Sequence, residues 1–213
     1  MAKCHLIIDS CCDLPASVVR RPGVTLMKFP YTVDGGTFED DLFESVSAEA
    51  FYGAMRKGAE PSTAQVTLQT LTDTFTAAAE EGTPAVYLAF SSGLSGTYAA
   101  AADAAKELAP KYPNQKIIVI DSRCASAGEG LLVHYALQNR EQGMSIEENA
   151  KWVKEHIQHL IHWFTVDDLM FLYRGGRLSA TSAVVGSLVR IKPIMHVDEE
   201  GHLAVVEKVT GRR

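Results

Sequence analysis

The sequence predicts an α/β protein with a parallel-sheet, Rossmann-like N-terminal domain followed by a smaller α+β domain. Two observations carry the first part. Apolar runs at residues 5–8, 85–90 and 116–120 end in polar signatures, Asp9-Ser10, Ser91-Ser92 and Asp121-Ser122. Segments of helical periodicity lie between them, and this βαβα order argues for parallel strands with helices on both faces. A third observation carries the second part: after about residue 162 the alternation gives way to short strands around one helical turn. The expected division is therefore 1–160 and 161–213.

The elements follow in order. After the first strand a helical stretch runs from Leu14 towards Arg20, with Pro15 favourable near its start. Residues 24–29 read as a second strand. Tyr31-Thr32-Val33 and Thr37-Phe38 flank Asp34-Gly35-Gly36, a compact hairpin signal. Ser47 caps a helix through Met55, stopped at Gly58. Residues 67–81 are helical because Leu68, Leu71, Phe75 and Ala78/Ala79 recur on one face, and Gly82 ends the run. An alanine-rich helix spans 97–108, and further helices span 131–140 and 146–161, on either side of Gly143.

The second part opens with a strand at 163–166 and a helical turn at 169–173 that runs into Gly175-Gly176-Arg177. A further helix, a strand at 191–197, a turn at 198–201 and a strand at 203–209 complete it. The last strand has nothing after it to cover it, so the α+β domain is expected to be incomplete at its C-terminus.

Composition narrows the function classes. Of 213 residues, 46% are hydrophobic and 22% charged, enough to bury a real core. A formal net charge of −6 argues against a nucleic-acid partner, which needs clustered cations to displace counterions. Charge or glycine interrupts every apolar stretch short of a bilayer span, and the N-terminus shows no signal-like apolar region. A cytoplasmic protein without stable membrane insertion is expected. Cys4, Cys11, Cys12 and Cys124 form neither a Cys-x-x-Cys pair nor a zinc-like spacing, so reduced thiols and no metal or cofactor are expected.

Ligands of open parallel sheets bind beyond the carboxyl ends of the strands. The sharpest segment there is Ser91-Ser92-Gly93-Leu94-Ser95-Gly96-Thr97-Tyr98. Glycines flank Ser95, and the helix that follows begins with free N–H groups and a positive dipole end, which suits a carboxylate or phosphate. A plain N-cap role for Ser95 accounts for the same residues. Pro61-Ser62-Thr63-Ala64-Gln65-Val66-Thr67 is a second hydroxyl-rich loop ahead of a helix; self-bonding hydroxyls would explain it equally well.

Other readings compete. Ser95 as a hydrolase nucleophile requires Gly-x-Ser-x-Gly, which Gly93-Leu94-Ser95-Gly96-Thr97 misses at its last position, and His134 sits mid-helix with no assigned partner. A phosphate- or nucleotide-binding domain would use Gly128-Glu129-Gly130, but Val133 occupies the third glycine position. His156, His159 and His162 suggest a metal comb, yet on one helix the outer two point roughly 120° apart.

Taken together, the segments resemble the DegV family, the acyl-binding subunits of bacterial fatty acid kinases. The resemblance covers essentially the whole chain. It rests on Ile8-Asp9-Ser10, the Pro61 to Thr67 loop, Leu94-Ser95-Gly96-Thr97-Tyr98, Ile120-Asp121-Ser122, and Leu172-Tyr173-Arg174-Gly175-Gly176-Arg177-Leu178 followed by Ile191-Lys192-Pro193-Ile194. It implies a fatty acid in an apolar tunnel between two domains, its carboxylate held by Thr63 and Ser95 with Ser62 and Gly96 beside them. It implies no catalysis by this chain, and a separate kinase protein that phosphorylates the bound carboxylate. Arg177 becomes a candidate for contact with that partner. The sequence departs from the family's usual Thr-Ser-Gln-Pro loop, reading Thr63-Ala64-Gln65-Val66. None of its seven histidines takes the place of the carboxylate-contacting histidine the family carries late in its second domain.

Overall fold

The computed structural model describes residues 4–178 and 191–210. In chain order the strands are β1 (His5–Asp9), β2 (Val24–Met27), β3 (Pro30–Val33), β4 (Gly36–Glu39), β5 (Ser62–Thr63), β6 (Ala85–Ala89), β7 (Ile117–Asp121), β8 (Trp163–Phe164), β9 (Ile191–Val197) and β10 (Leu203–Thr210). The α-helices are α1 (Ala16–Val19), α2 (Ala48–Arg56), α3 (Leu68–Glu80), α4 (Thr97–Leu108), α5 (Ser126–Glu141), α6 (Ile146–His156) and α7 (Leu169–Arg174). The further helix expected before β9 lies outside the described residues.

Four parallel strands form the central sheet in the order β2-β1-β6-β7. Every residue of β1 and β6 is buried, the signature of strands covered on both faces. Alternation along the strands divides the core in two. Leu6, Ile8, Val86, Leu88 and Ile120 pack against Leu132, Val133 and Leu137 of α5 and Ile146 and Val153 of α6. On the other face Ile7, Tyr87 and Ala89 pack against Leu71 and Phe75 of α3 and Ala101 and Leu108 of α4. The helix layers predicted from the βαβα order are thus both present.

Two helix limits differ from expectation. Helix α5 starts at Ser126, so Gly128-Glu129-Gly130 forms its first turns instead of a phosphate-binding loop. Its glycines serve close packing: a Cβ on Gly130 would lie 2.4 Å from the Cys12 carbonyl oxygen. Helix α6 ends at His156 and tightens into a 3-10 turn, Ile157–His159. There the His156 ring stacks on Trp152 at 3.9 Å and its Nδ1 bonds the Trp152 carbonyl at 2.7 Å. His162 therefore leaves the helix and lies against Gly128. Among the described residues no three His, Cys, Asp or Glu side chains form a metal-binding group.

Two antiparallel sheets complete the architecture, β4-β3-β5 and β10-β9-β8. The β3–β4 hairpin turns through Asp34 and Gly35, both at positive φ (50° and 78°), as a two-residue primed turn requires. In the second sheet Met195 is fully buried with Leu169 and Leu178 beneath it. All four cysteines are free thiols, three of them buried.

Candidate functional site

The carboxyl edge of the central sheet gathers the polar residues singled out in the sequence. After β6 the chain turns through residues 90–96 into α4. Leu94 and Ser95 donate their N–H groups to the Ser91 carbonyl, both at 3.0 Å. The Ser95 hydroxyl accepts the Thr97 N–H at 3.2 Å and lies 3.0 Å from Thr97 Oγ1. Ser95 stands one residue before Gly96, the N-cap of α4, which has no side-chain cap; Ser95 stays half-exposed and Gly96 is exposed. Among the described residues no histidine bonds Ser95, so a Ser95 nucleophile with its base is not assembled here.

Gly93 is needed for space, not for backbone conformation, and Gly96 leaves room for the end of the Gln65 side chain. A Cβ on Gly93 would lie 2.8 Å from the carbonyl carbon and oxygen of Gly201, in the β9–β10 turn. One on Gly96 would lie 2.1 Å from Gln65 Oε1. Each glycine is approached by another segment, Gly93 by the β9–β10 turn and Gly96 by Gln65.

The second hydroxyl-rich segment is not wholly a loop. Ser62 and Thr63 form β5, pairing antiparallel with β3 so that Ser62 faces Thr32 and Thr63 faces Tyr31. Successive strand residues point to opposite faces. The Ser62 hydroxyl is taken up by Thr32 Oγ1 at 2.7 Å, whereas Thr63 lies on the opposite face and is exposed.

The structure brings the two segments together. The Val66 N–H donates to Thr97 Oγ1 at 3.2 Å, with Val66 and Thr97 both buried. Gln65 meanwhile lies against Gly96. The valine that departs from the family's proline supplies an N–H that proline lacks. Sequence reading left Thr97 and Gln65 without roles, because their partners stand 31 positions away in each case.

The edge is held by further anchors. Asp9 is fully buried; its carboxylate accepts the Tyr87 hydroxyl and, at 2.6 Å, the Phe90 N–H. Ser10, also fully buried, accepts the Phe29 N–H at 3.2 Å. Asp121 accepts the Ser92 N–H at 3.0 Å, and the Ser91 hydroxyl donates to the Gly201 carbonyl at 2.8 Å. Arg177 folds onto the same turn, its Nε donating to the Leu94 carbonyl at 3.2 Å.

Two buried carboxyls lie beneath the edge, while Asp121, Arg123 and Arg177 carry charge along it. Burial pushes the Asp9 carboxyl up to about 7 against the pull of its two hydrogen bonds. Glu129 is fully buried with neither carboxylate oxygen hydrogen-bonded; burial, then the charges of Asp9 and Asp13, raise it well above the usual range. A cleft of about 410 Å³ lies beside the β9–β10 turn, bounded by Ile157, Leu160, Ile161 and Val197 with Arg123, His162 and His196. Among the described residues no helix is long and apolar enough to cross a membrane.

Comparison with known proteins places this arrangement. The profile of the DegV family, whose members are described as uncharacterised, matches residues 3–213. The chain belongs to the DegV family. A DegV domain-containing protein of Clostridium perfringens is 40% identical over 213 residues, which is 100% of this chain and 73% of that protein. The α/β architecture superposes on a fatty-acid-binding DegV protein of Streptococcus agalactiae with a TM-score of 0.83 at 30% identity, covering 99% of this chain and 73% of the other. A DegV protein of Thermus thermophilus described for fatty acid binding gives 0.83 at 29% identity over 98% and 72% of the two chains.

Proposed function

We propose that this DegV chain binds a fatty acid and presents its carboxylate to a separate ATP-dependent kinase, performing no catalysis itself. The observation that carries the reading is the junction of the Thr63 segment with the Ser95 turn through Val66 and Thr97, in a fold shared with fatty-acid-binding relatives. In this reading the head group bonds the Thr63 and Ser95 hydroxyls, with Gly96 allowing close approach. Ser62, whose hydroxyl is engaged by Thr32, supports the strand that carries Thr63.

The chemistry suits such a ligand. Neutral hydroxyls and the N–H groups of a helix start replace water around a carboxylate without a fixed cation. An oxygen is then left free to attack a γ-phosphate, with ATP and metal supplied by the kinase. Each buried CH₂ of the tail contributes about 0.8 kcal/mol. The cleft beside the β9–β10 turn is of mixed lining, with Ile157, Leu160, Ile161 and Val197 beside Arg123, Gln158, His162, His196, Asp198 and Glu199, so the place of the tail between the proposed domains, 1–160 and 161–213, rests on the family resemblance. Arg177, whose bond to Leu94 ties it to the Ser95 turn, is the residue proposed to contact the kinase, in a cytoplasmic protein.

Native mass spectrometry of purified protein, with lipid extraction, tests the proposal. Co-purifying long-chain fatty acid, or micromolar affinity for palmitate or oleate, is the expected result. An empty protein with no affinity for either would overturn it.

A further inference from the structure

The last residue of β1, Asp9, and Ser10, which opens the 3-10 turn after it, are fully buried and polar, and each reaches sideways to a different neighbour. Strand β1 lies between β2 and β6. On the β6 side, Asp9 accepts the Phe90 N–H at 2.6 Å, one residue before the Ser91 carbonyl that receives the N–H of Ser95. On the β2 side, Ser10 accepts the Phe29 N–H at 3.2 Å. The next residue, Pro30, accepts the N–H of Ala64, directly after Thr63, at 3.1 Å. The rings of Phe29 and Phe90 meet edge to face at 6.2 Å. The two hydroxyl-bearing segments therefore leave the sheet from a pair of anchor points joined through Asp9-Ser10.

We propose that Asp9 and Ser10 are positioning residues of the head-group site, setting where the Ser95 turn stands relative to the Thr63 strand. This rests on the reading of Thr63 and Ser95 as carboxylate contacts. A buried backbone N–H without a partner is costly enough to move the chain that carries it. Loss of either acceptor would thus shift one half of the site against the other. The direct link between Val66 and Thr97 joins the segments beyond Thr63 and reaches the Ser95 hydroxyl through Thr97 Oγ1, whereas Asp9 and Ser10 set where the two segments leave the sheet. Tyr87 completes the Asp9 anchor by donating its hydroxyl to the second carboxylate oxygen.

The test uses the full chain with four variants: Asp9→Ala, Asp9→Asn, Ser10→Ala and, as a control in the opposite core, Val153→Ala. Palmitate affinity is measured beside thermal stability, and amide hydrogen exchange is followed on ligand-free protein. Asp9→Ala and Ser10→Ala are expected to weaken palmitate binding about tenfold each, the scale of one lost hydrogen bond. Asp9→Asn is expected to recover binding to within about threefold of the wild type, because its amide oxygen still accepts the Phe90 N–H. Exchange should rise at Phe90, Leu94 and Ser95 in Asp9→Ala, and at Phe29 and Ala64 in Ser10→Ala. Val153→Ala should lose stability and keep its affinity.

Wild-type affinity in Asp9→Ala and Ser10→Ala would overturn the proposal. So would an equal loss of affinity in Val153→Ala, or exchange that rises evenly over the molecule. If wild-type protein binds no palmitate, the head-group reading fails on its own, and the exchange pattern still decides whether the two anchors act as described.

Discussion

Val66 gives its backbone N–H to the side-chain oxygen of Thr97, 31 residues along the chain, and this bond closes the candidate site. Both residues are buried, so neither group has water as an alternative partner. Replacing Thr97 by Val keeps the shape and removes the acceptor. The expected cost is about 1–3 kcal/mol for an unsatisfied buried N–H, read as a lower urea midpoint with unchanged slope. Thr97→Ser should restore most of it.

The hydroxyl of Ser95 is engaged with Thr97 but half-exposed, and Thr63 is exposed on the face of β5 away from Thr32. Ser95→Ala and Thr63→Val should each weaken palmitate binding roughly tenfold or more, since hydrogen bonds to a charged group are worth about 1.5–3 kcal/mol. Displacement of a fluorescent fatty acid measures this. No labelling of Ser95 by a fluorophosphonate probe is expected, because a holding hydroxyl has no base to activate it.

Asp9 gives a pH signature. Its carboxyl is raised from 3.8 to about 7 by burial, so the folded state holds its proton where the unfolded chain has lost it. The stability this contributes is complete below about pH 4 and is lost as pH rises through 7. Glu129, raised by burial and by Asp9, acts in the same direction. His5 and His162, lowered chiefly by burial, act oppositely, losing stability as pH falls through the histidine range. Urea midpoints between pH 6 and 8 isolate the carboxyl contribution when wild type is compared with Asp9→Asn and Glu129→Gln. Both variants are expected to gain stability relative to wild type as pH rises.

Arg177 holds the Leu94 carbonyl with its Nε. Arg177→Lys should not substitute, because a point-like ammonium cannot reproduce the planar fork that also reaches the Gly175 carbonyl. Palmitate affinity is expected to fall about tenfold, on the scale of one hydrogen bond from a charged donor. A larger loss of acyl phosphate formation with saturating fatty acid would mark the contact with the kinase.

Gly93 faces backbone. A Cβ there would sit 2.8 Å from Gly201, whose peptide cannot rotate away as a side chain could. Gly93→Ala is therefore expected to cost about 1–3 kcal/mol of overpacking, measured by denaturation. It should also loosen the β9–β10 turn from Ser91, visible as faster exchange at Gly201.

Much of this protein was determined by local sequence. Short, fully apolar runs such as Leu6-Ile7-Ile8 and Ala85-Val86-Tyr87-Leu88-Ala89, closed by polar residues, read as strands covered on both faces, and both are wholly buried. Their polar ends, Asp9-Ser10 and Ser91-Ser92, mark the edge where the candidate site is proposed. Helix limits were less legible, because packing sets them: Gly128 and Gly130 read as loop residues until His162 and the Cys12 carbonyl are seen filling the space a side chain would need. Only the tertiary structure decided which partners the polar groups would take. Whether Ser62 or Thr63 faces the open side depends on the register of β5 on β3, and Thr97 found its donor in Val66 only because α3 and α4 share one face of the sheet. A hydrogen bond between residues far apart in sequence leaves no periodic trace, since its geometry is created by the packing of the elements that carry them.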